Sequence, residues 1–260
     1  MDVSADRVRI HGVSWWIPRD ARSEGTLSDR VVRGQLPIAE ILQTRPFVHR
    51  GAMIDIGANI GTTAITRLLL GHVDFVYAIE ADPANYVCLR RTAYDNGLDD
   101  RLSADNIALT DRDGDATLMR ADAIGRHRLL QPAARARGTT VTVPGMTLDS
   151  WAEWRGCTPG RVTYIKCDTQ GWEDHILRGA AQWLTHTHIA WELELCPGLL
   201  EKAGSSLAAI CRRLQHHFTW FVELREARWN PRRQPMTVLL PTVERALAKP
   251  RNYTNVIVGN

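Results

Sequence analysis

No run in this 260-residue sequence reaches the roughly 18 consecutive apolar residues that a membrane-spanning helix requires, although 44% of its residues are hydrophobic. An excess of one charge is also missing. Lys and Arg number 32 against 29 Asp and Glu, and a net +3 is too small to argue for a nucleic-acid partner. Cysteine is sparse and unpatterned. Cys88, Cys157, Cys167, Cys196 and Cys211 form no C-x-x-C pair and no metal-like spacing, which argues against structural zinc and suits reduced thiols in a cytoplasmic protein. The N-terminus (MDVSADRVRI) lacks the basic-then-apolar layout of a secretory leader. Internal repeats and low-complexity segments are absent. The remaining bounds are those of an ordinary globule: one α/β domain, or one with an appendage.

What is present concentrates in Met53–Gly61 (MIDIGANIG). An apolar strand ends in Asp55 and turns through Gly57 and Gly61 directly into a helix near 62–70. A second apolar strand, Phe75–Glu80, ends in another acid 25 positions after Asp55, about one strand–helix–strand unit. In a doubly wound sheet this pairing binds an adenosyl group. The glycines admit the ligand to the backbone, the helix N-terminus offers N–H groups, and the second acid accepts from ribose hydroxyls. A dinucleotide site wants G-x-G-x-x-G, but Asn59 stands where the middle glycine belongs, and Asp55 would repel a pyrophosphate. A zwitterion such as S-adenosylmethionine fits better, its carboxylate at the helix N-terminus and its ammonium near an acid.

Periodicity gives the organisation. Residues 1–50 read as an N-terminal extension, with a strand at Val8–Ile17, a polar loop at Pro18–Ser28 and a helix near Pro37–Gln43. From 51 to 260, strands near 52–56, 75–80, 103–109, 161–167 and 187–193 alternate with helices near 62–70, 83–96, 172–184 and 204–217. Asp111–Asp115 reads as a hairpin turn into Ala116–Met119. Late strands near 218–224 and 253–258 flank a Pro- and Arg-rich excursion. Such alternation predicts a parallel, doubly wound sheet with helices on both faces. A last strand inserted antiparallel would complete seven strands. Arg120–Gly138 carries Arg120, Arg126, Arg128, Arg135 and Arg137 against Asp122 alone. It reads either as a solvated loop or as a lid over an acidic or phosphorylated substrate.

Ligands of such sheets bind beyond the strand carboxyl ends. There the fourth strand delivers Lys166-Cys167-Asp168 and the fifth Glu192-Leu193-Glu194. Methyl transfer from a sulfonium is an in-line displacement, which needs an aligned nucleophile and a destination for its proton. Asp168 is the first candidate for base or metal ligand, Glu192 the second, and Lys166 either orients the acceptor or pairs with Asp168. Alternatively, Asp168 and Glu173 only cap the next helix. His175 reads as structural or solvated. Trp151, Trp154, Trp183 and Trp220 read as core, and Trp172 and Trp191 as core residues flanking the site.

As a set, these motifs resemble the FkbM-type methyltransferases. The resemblance is carried by Ile54–Gly61, Glu80-Ala81-Asp82-Pro83, Asn106–Leu109, Thr147-Leu148-Asp149, Ile165–Glu173, Leu177–Ala180, Glu192 and Tyr253–Val256. It implies a class I, Rossmann-like fold and an S-adenosylmethionine-dependent O-methyltransferase of sugars, glycolipids or polyketide-like natural products. It places Asp55, Gly57, Asn59, Gly61, Glu80 and Asn106 around the cofactor. The chain departs from the family at Thr169-Gln170, where an apolar residue followed by Glu is common, so a divalent metal stays open. The implied acceptor is a small molecule or glycan rather than nucleic acid. The competing readings are a nicotinamide-dependent oxidoreductase, which lacks a Tyr-x-x-x-Lys pair here, and an RNA methyltransferase, whose N-P-P-[YF] motif for base amino groups is absent.

Overall fold

Strand Ala52–Ile56 is buried at every position, so the sheet containing it needs cover on both faces. A computed structural model describes residues 3–19, 27–121, 126–132, 138–227, 230–250 and 252–260. Its strands are β1 (Ala5–Ile10), β2 (Val13–Pro18), β3 (Ala52–Ile56), β4 (Phe75–Ile79), β5 (Leu102–Asp105), β6 (Ala108–Leu109), β7 (Gly114–Met119), β8 (Arg128–Leu129), β9 (Thr140–Met146), β10 (Val162–Cys167), β11 (Ala190–Leu195), β12 (Trp220–Glu223), β13 (Gln234–Pro235) and β14 (Thr254–Gly259). The helices are α1 (Leu27–Val32), α2 (Ile38–Thr44), α3 (Thr62–Leu69), α4 (Pro83–Asp95), α5 (Leu148–Arg155), α6 (Glu173–Arg178), α7 (Pro197–Lys202), α8 (Leu207–His217), α9 (Leu224–Ala227) and α10 (Leu239–Leu247).

The central sheet runs β13-β12-β14-β11-β10-β3-β4-β5. The strands from β5 to β11 are parallel, and β14 enters antiparallel between β11 and β12. This is the expected seven-stranded doubly wound sheet, with two-residue β13 added at one edge. Strand alternation divides the core. Ile54, Ile165, Trp191 and Val258 pack with α5, α6, α8 and α10. Met53, Tyr164, Ala190 and Ile257 pack with α3, α4 and β2.

Four sequence expectations are corrected. Val8–Ile17 is not one strand, because His11 (φ +51) and Gly12 turn it into the β1–β2 hairpin. That hairpin is fastened to α4 by Trp16 N–H on Thr92 Oγ1, Trp16 Nε1–H on Asp95, and reciprocal bonds between Ser14 and Asn96. The Asp111–Asp115 turn does not pair β6 with β7. Both pair with β9, in a second sheet of order β6-β9-β7-β8. The late excursion contains helix α10, whose Leu239, Val243 and Ala246 face the core. Finally, Trp154 is 61% exposed, whereas Trp151 and Trp183 are buried.

Candidate functional site

Register builds the site. Asp55 of β3 lies beside Lys166 of β10, and Lys166 beside Glu192 of β11, giving a row of charged groups across three adjacent strands. Two residues further toward the carboxyl edge, Glu194 lies beside Asn255 of β14. Parity puts the row on the face that packs against α3, where apolar side chains would otherwise sit. Charges survive such burial only when paired.

The pairing is incomplete: among the described residues both Asp55 carboxylate oxygens, Glu192 Oε1 and Arg67 Nε and Nη1 have no hydrogen-bond partner. Lys166 Nζ lies 2.9 Å from Asp168 Oδ2. Burial disfavours its charge, but Asp168, Asp55, Glu40 and Glu192 together hold the ammonium well above its ordinary range. Glu192 Oε2 accepts from the Tyr164 hydroxyl at 2.5 Å and lies 3.8 Å from Arg67 Nη2. Arg67 also donates to Thr44 of α2 and lies over the Tyr164 ring. Asp55, 1% exposed, has no hydrogen-bond donor on either carboxylate oxygen among the described residues. Burial raises its carboxyl to about 6, with the Lys166 charge opposing.

Beside Asp55 the chain turns sharply. Gly57 has φ +79, and a Cβ there would lie 2.0 Å from the Asp168 carbonyl oxygen. Only glycine lets the two strand ends close together. Asn59 is also left-handed (φ +55), and its N–H donates to Glu80 Oε2 at 2.8 Å. Glu80 Oε1 accepts from Asp82 N–H at 2.8 Å. Burial raises the Glu80 carboxyl to about 7 against these two bonds. Gly61 (φ +86) caps α3 and meets Ile65 and Leu89, so it serves packing. Asn106 donates to the main-chain carbonyls of Glu80 and Ala81 and fixes the turn after β4 from outside the cavity wall.

A cavity of about 1310 Å³ opens over these strand ends. Following the strand order, its wall passes from Glu80 and Asp55 through Lys166, Asp168 and Gln170 to Glu194 and Asn255. Glu40 and Gln43 of α2 complete it. Glu192 is not part of that wall, because it sits two residues deeper than Glu194 in the network with Tyr164 and Arg67. Sequence reasoning missed Glu40, which nothing marks in the extension, and it left Glu194, two residues from Glu192 and on the same face, without a role. Gln170 (φ +57) donates to Glu194 at 3.2 Å and lies 3.5 Å from Asp168 Oδ1, so a neutral amide stands between two acids.

Several candidates are structural. Glu173 Oε1 accepts from the N–H groups of Thr169 and Gly171 and holds the loop after β10. Its burial raises the carboxyl to about 7. His175 lies 2.8 Å from both Asp111 and the Ala203 carbonyl, and stacks on Trp172. Trp172 and Trp191 are core. Of the arginine-rich segment, Arg120 lies 2.7 Å from Asp82, the N-cap of α4, and Arg126 and Arg128 line the cavity. Asp122, Arg135 and Arg137 lie outside the described residues, as do residues 20–26 of the Pro18–Ser28 loop. Among the described residues no group of three or more His, Cys, Asp or Glu is arranged to hold a metal ion, and no helix is long and apolar enough to cross a membrane.

Residues 55–218 match the family described as the methyltransferase FkbM domain, which is well over half of the chain. The chain belongs to the FkbM methyltransferase family. Solved structures similar to it include an FkbM methyltransferase from Methylobacillus flagellatus KT, 14% identical with a TM-score of 0.42. That similarity covers 81% of this chain but only 44% of the Methylobacillus chain. A precorrin-6y C5,15-methyltransferase from Geobacter metallireducens GS-15 is 12% identical over 93% of this chain and 94% of its own, with a TM-score of 0.44. TYW2 from M. jannaschii, solved with AdoMet, is 10% identical over 99% and 85%, with a TM-score of 0.47. No curated protein matches the chain. The FkbM match contains every charged group of the row and its carboxyl edge, whereas Glu40, Gln43 and Asn255 lie outside it.

Proposed function

We propose that this FkbM-family chain is an S-adenosylmethionine-dependent O-methyltransferase acting on a hydroxyl of a sugar, glycolipid or polyketide-like natural product. The reading rests on Asp55, a buried carboxylate that lines a large cavity and has no hydrogen-bond donor among the described residues. Such a group is costly unless a cationic ligand completes it. The residues fit the cofactor. Asp55 would take the ammonium of the amino-acid tail. The main-chain N–H groups at the start of α3 would face its carboxylate. Glu80 accepts from the main-chain N–H groups of Asn59 and Asp82, with the Asn85 side chain a further donor, which leaves acceptor capacity for a ribose hydroxyl. The bound cofactor supplies a methyl group already activated on a sulfonium.

The chain's own residues handle the proton. Asp168 Oδ2 is held by Lys166, while Oδ1 meets only the long contact from Gln170, so Oδ1 is the assigned acceptor of the hydroxyl proton. Glu192 stands behind as support for Lys166. Because Lys166 Nζ already occupies the cationic position on Asp168, we assign the local positive charge to it rather than to a divalent metal, and turnover should withstand EDTA. The five cysteines, all buried and outside any disulfide, support a cytoplasmic setting, and the family match starting at residue 55 supports reading residues 1–50 as an extension. Isothermal titration should show S-adenosylmethionine binding and no NAD binding. Tight NAD binding with none of the methyl donor would defeat the reading. With an acceptor in hand, Asp168→Asn should slow transfer by about 100-fold or more, and unchanged turnover would move the base elsewhere.

A further inference from the structure

Cations line the same cavity whose strand ends carry the acids, and the cofactor reading gives three of them no task. Arg126 lies two residues before β8, Arg128 opens that strand, and Lys202 ends α7; all three belong to the cavity wall. Neighbouring cations are already paired. Arg120 of the same arginine-rich segment is taken by Asp82, and Lys166 by Asp168. Among the described residues, Arg126, Arg128 and Lys202 form no ion pair, and Arg128 reaches only the Met119 sulfur, at 4.0 Å. Their elements are fastened together. Gln131, three residues after Arg128, donates to the carbonyl of Ala203, the residue after Lys202. Cys196 and Leu199 carry the wall from Glu194 of β11 to Lys202. The three cations therefore stand beside the acceptor end of the cavity, marked by Asp168 and Glu194, rather than beside Asp55 and Glu80.

We infer that Arg126, Arg128 and Lys202 form an anion subsite for a phosphate group carried by the methyl acceptor. The inference rests on the cofactor reading and narrows its acceptor class. S-adenosylmethionine contains no phosphate, and its one carboxylate is met by the main-chain N–H groups at the start of α3, so the anion these cations await comes with the acceptor. A phosphate monoester brings about −1.5 to −2 charges at pH 7 and three acceptor oxygens, which suits three cations. A carboxylate brings a single charge. Guanidinium forks also match phosphate oxygens in bidentate fashion. The acids at the strand ends repel an anion, which keeps the phosphate at the cations while a hydroxyl of the same molecule reaches Asp168 Oδ1. A phosphorylated sugar, free in solution or carried on a lipid, presents both groups. A polyketide without a phosphate does not.

The test titrates the full-length protein, with S-adenosylhomocysteine in excess, against glucose 1-phosphate, glucuronate and glucose in a calorimeter. In parallel the protein is sedimented with phosphatidylcholine vesicles containing or lacking phosphatidate. Glucose 1-phosphate should bind at least about tenfold more tightly than glucuronate or glucose, as charged hydrogen bonds allow, or the phosphatidate vesicles alone should capture the protein. The first result identifies a soluble phosphate ester and the second a lipid-borne one. Arg128→Gln combined with Lys202→Gln should erase the preference while S-adenosylhomocysteine affinity stays within about twofold. Arg90→Gln combined with Arg212→Gln removes two exposed cations outside the cavity wall and should leave the preference intact. No preference for phosphate in either format would overturn the inference. So would a preference that survives the Arg128–Lys202 change, or one lost equally in the Arg90–Arg212 control. A wild type that binds no S-adenosylhomocysteine would instead defeat the cofactor reading, and its phosphate preference is read all the same.

Discussion

Asp55 and Gln170 show how single residues carry the site. Asp55→Asn removes a charge that no protein donor compensates. The variant should bind S-adenosylmethionine at least about tenfold more weakly, as expected for losing a charged hydrogen bond, while its ligand-free melting temperature stays level or rises. Calorimetry and a thermal scan check both halves. Gln170 is a neutral donor between Asp168 and Glu194. Gln170→Glu restores the family's usual acid but inserts a third carboxylate. The variant should lose thermal stability progressively as pH rises, because like charges repel only when ionised. The sequence singled out Asp55, Gly57 and Glu80, and the structure places all three on the cavity wall, where the turn requires glycine at 57. Asn106 and Gly61 belong to the same motifs but act on the main chain and the packing. A motif fixes where a residue sits and says less about which atoms it faces.

At the scale of elements, the strand ends and α2–α3 do the positioning. Gly57→Ala would drive a Cβ into the Asp168 carbonyl and hold alanine at a positive φ. We expect a stability loss of about 2 kcal/mol or more together with lost cofactor binding, read by urea unfolding and titration. Arg67 of α3 reaches α2, β11 and β10 through Thr44, Glu192 and Tyr164 respectively. Arg67→Leu should cost about 3–5 kcal/mol by stranding Glu192 in the interior. Adding Glu192→Gln should recover part of that loss, a coupling that a double-mutant cycle measures. The strands were readable because apolar runs bounded by turns recur along the chain. The β1–β2 hairpin, β9 and α10 were not, because a two-residue turn divides one apolar run, Pro144 and Gly145 interrupt the alternation of β9, and Pro241 sits in the first turn of α10.

Across the whole molecule, buried acids set a pH dependence. Asp55 at about 6, Glu80 and Glu173 at about 7 and Glu40 at about 8 all ionise later in the fold than in the unfolded chain. The folded state therefore binds more protons between pH 4 and 8. Its stability is fullest below the unfolded values and falls as pH rises through the folded ones. The ligand-free protein should show a lower urea midpoint at pH 8.5 than at pH 5.5, and a flat profile would contradict the burial of these groups. The strand order came from the structure, whereas fold class followed from strand–helix alternation, which constrains topology globally. The contribution of α2 to the site did not, since contacts between a leading segment and a distant strand leave no local trace.

The most direct measurement is a crystal structure of the protein with S-adenosylhomocysteine. The ammonium should lie within hydrogen-bond distance of Asp55 and the ribose hydroxyls should lie on Glu80. Density for the nucleoside elsewhere, or a cavity that stays empty at saturating ligand, would contradict the central claim that this strand-to-helix turn is a methyl-donor site.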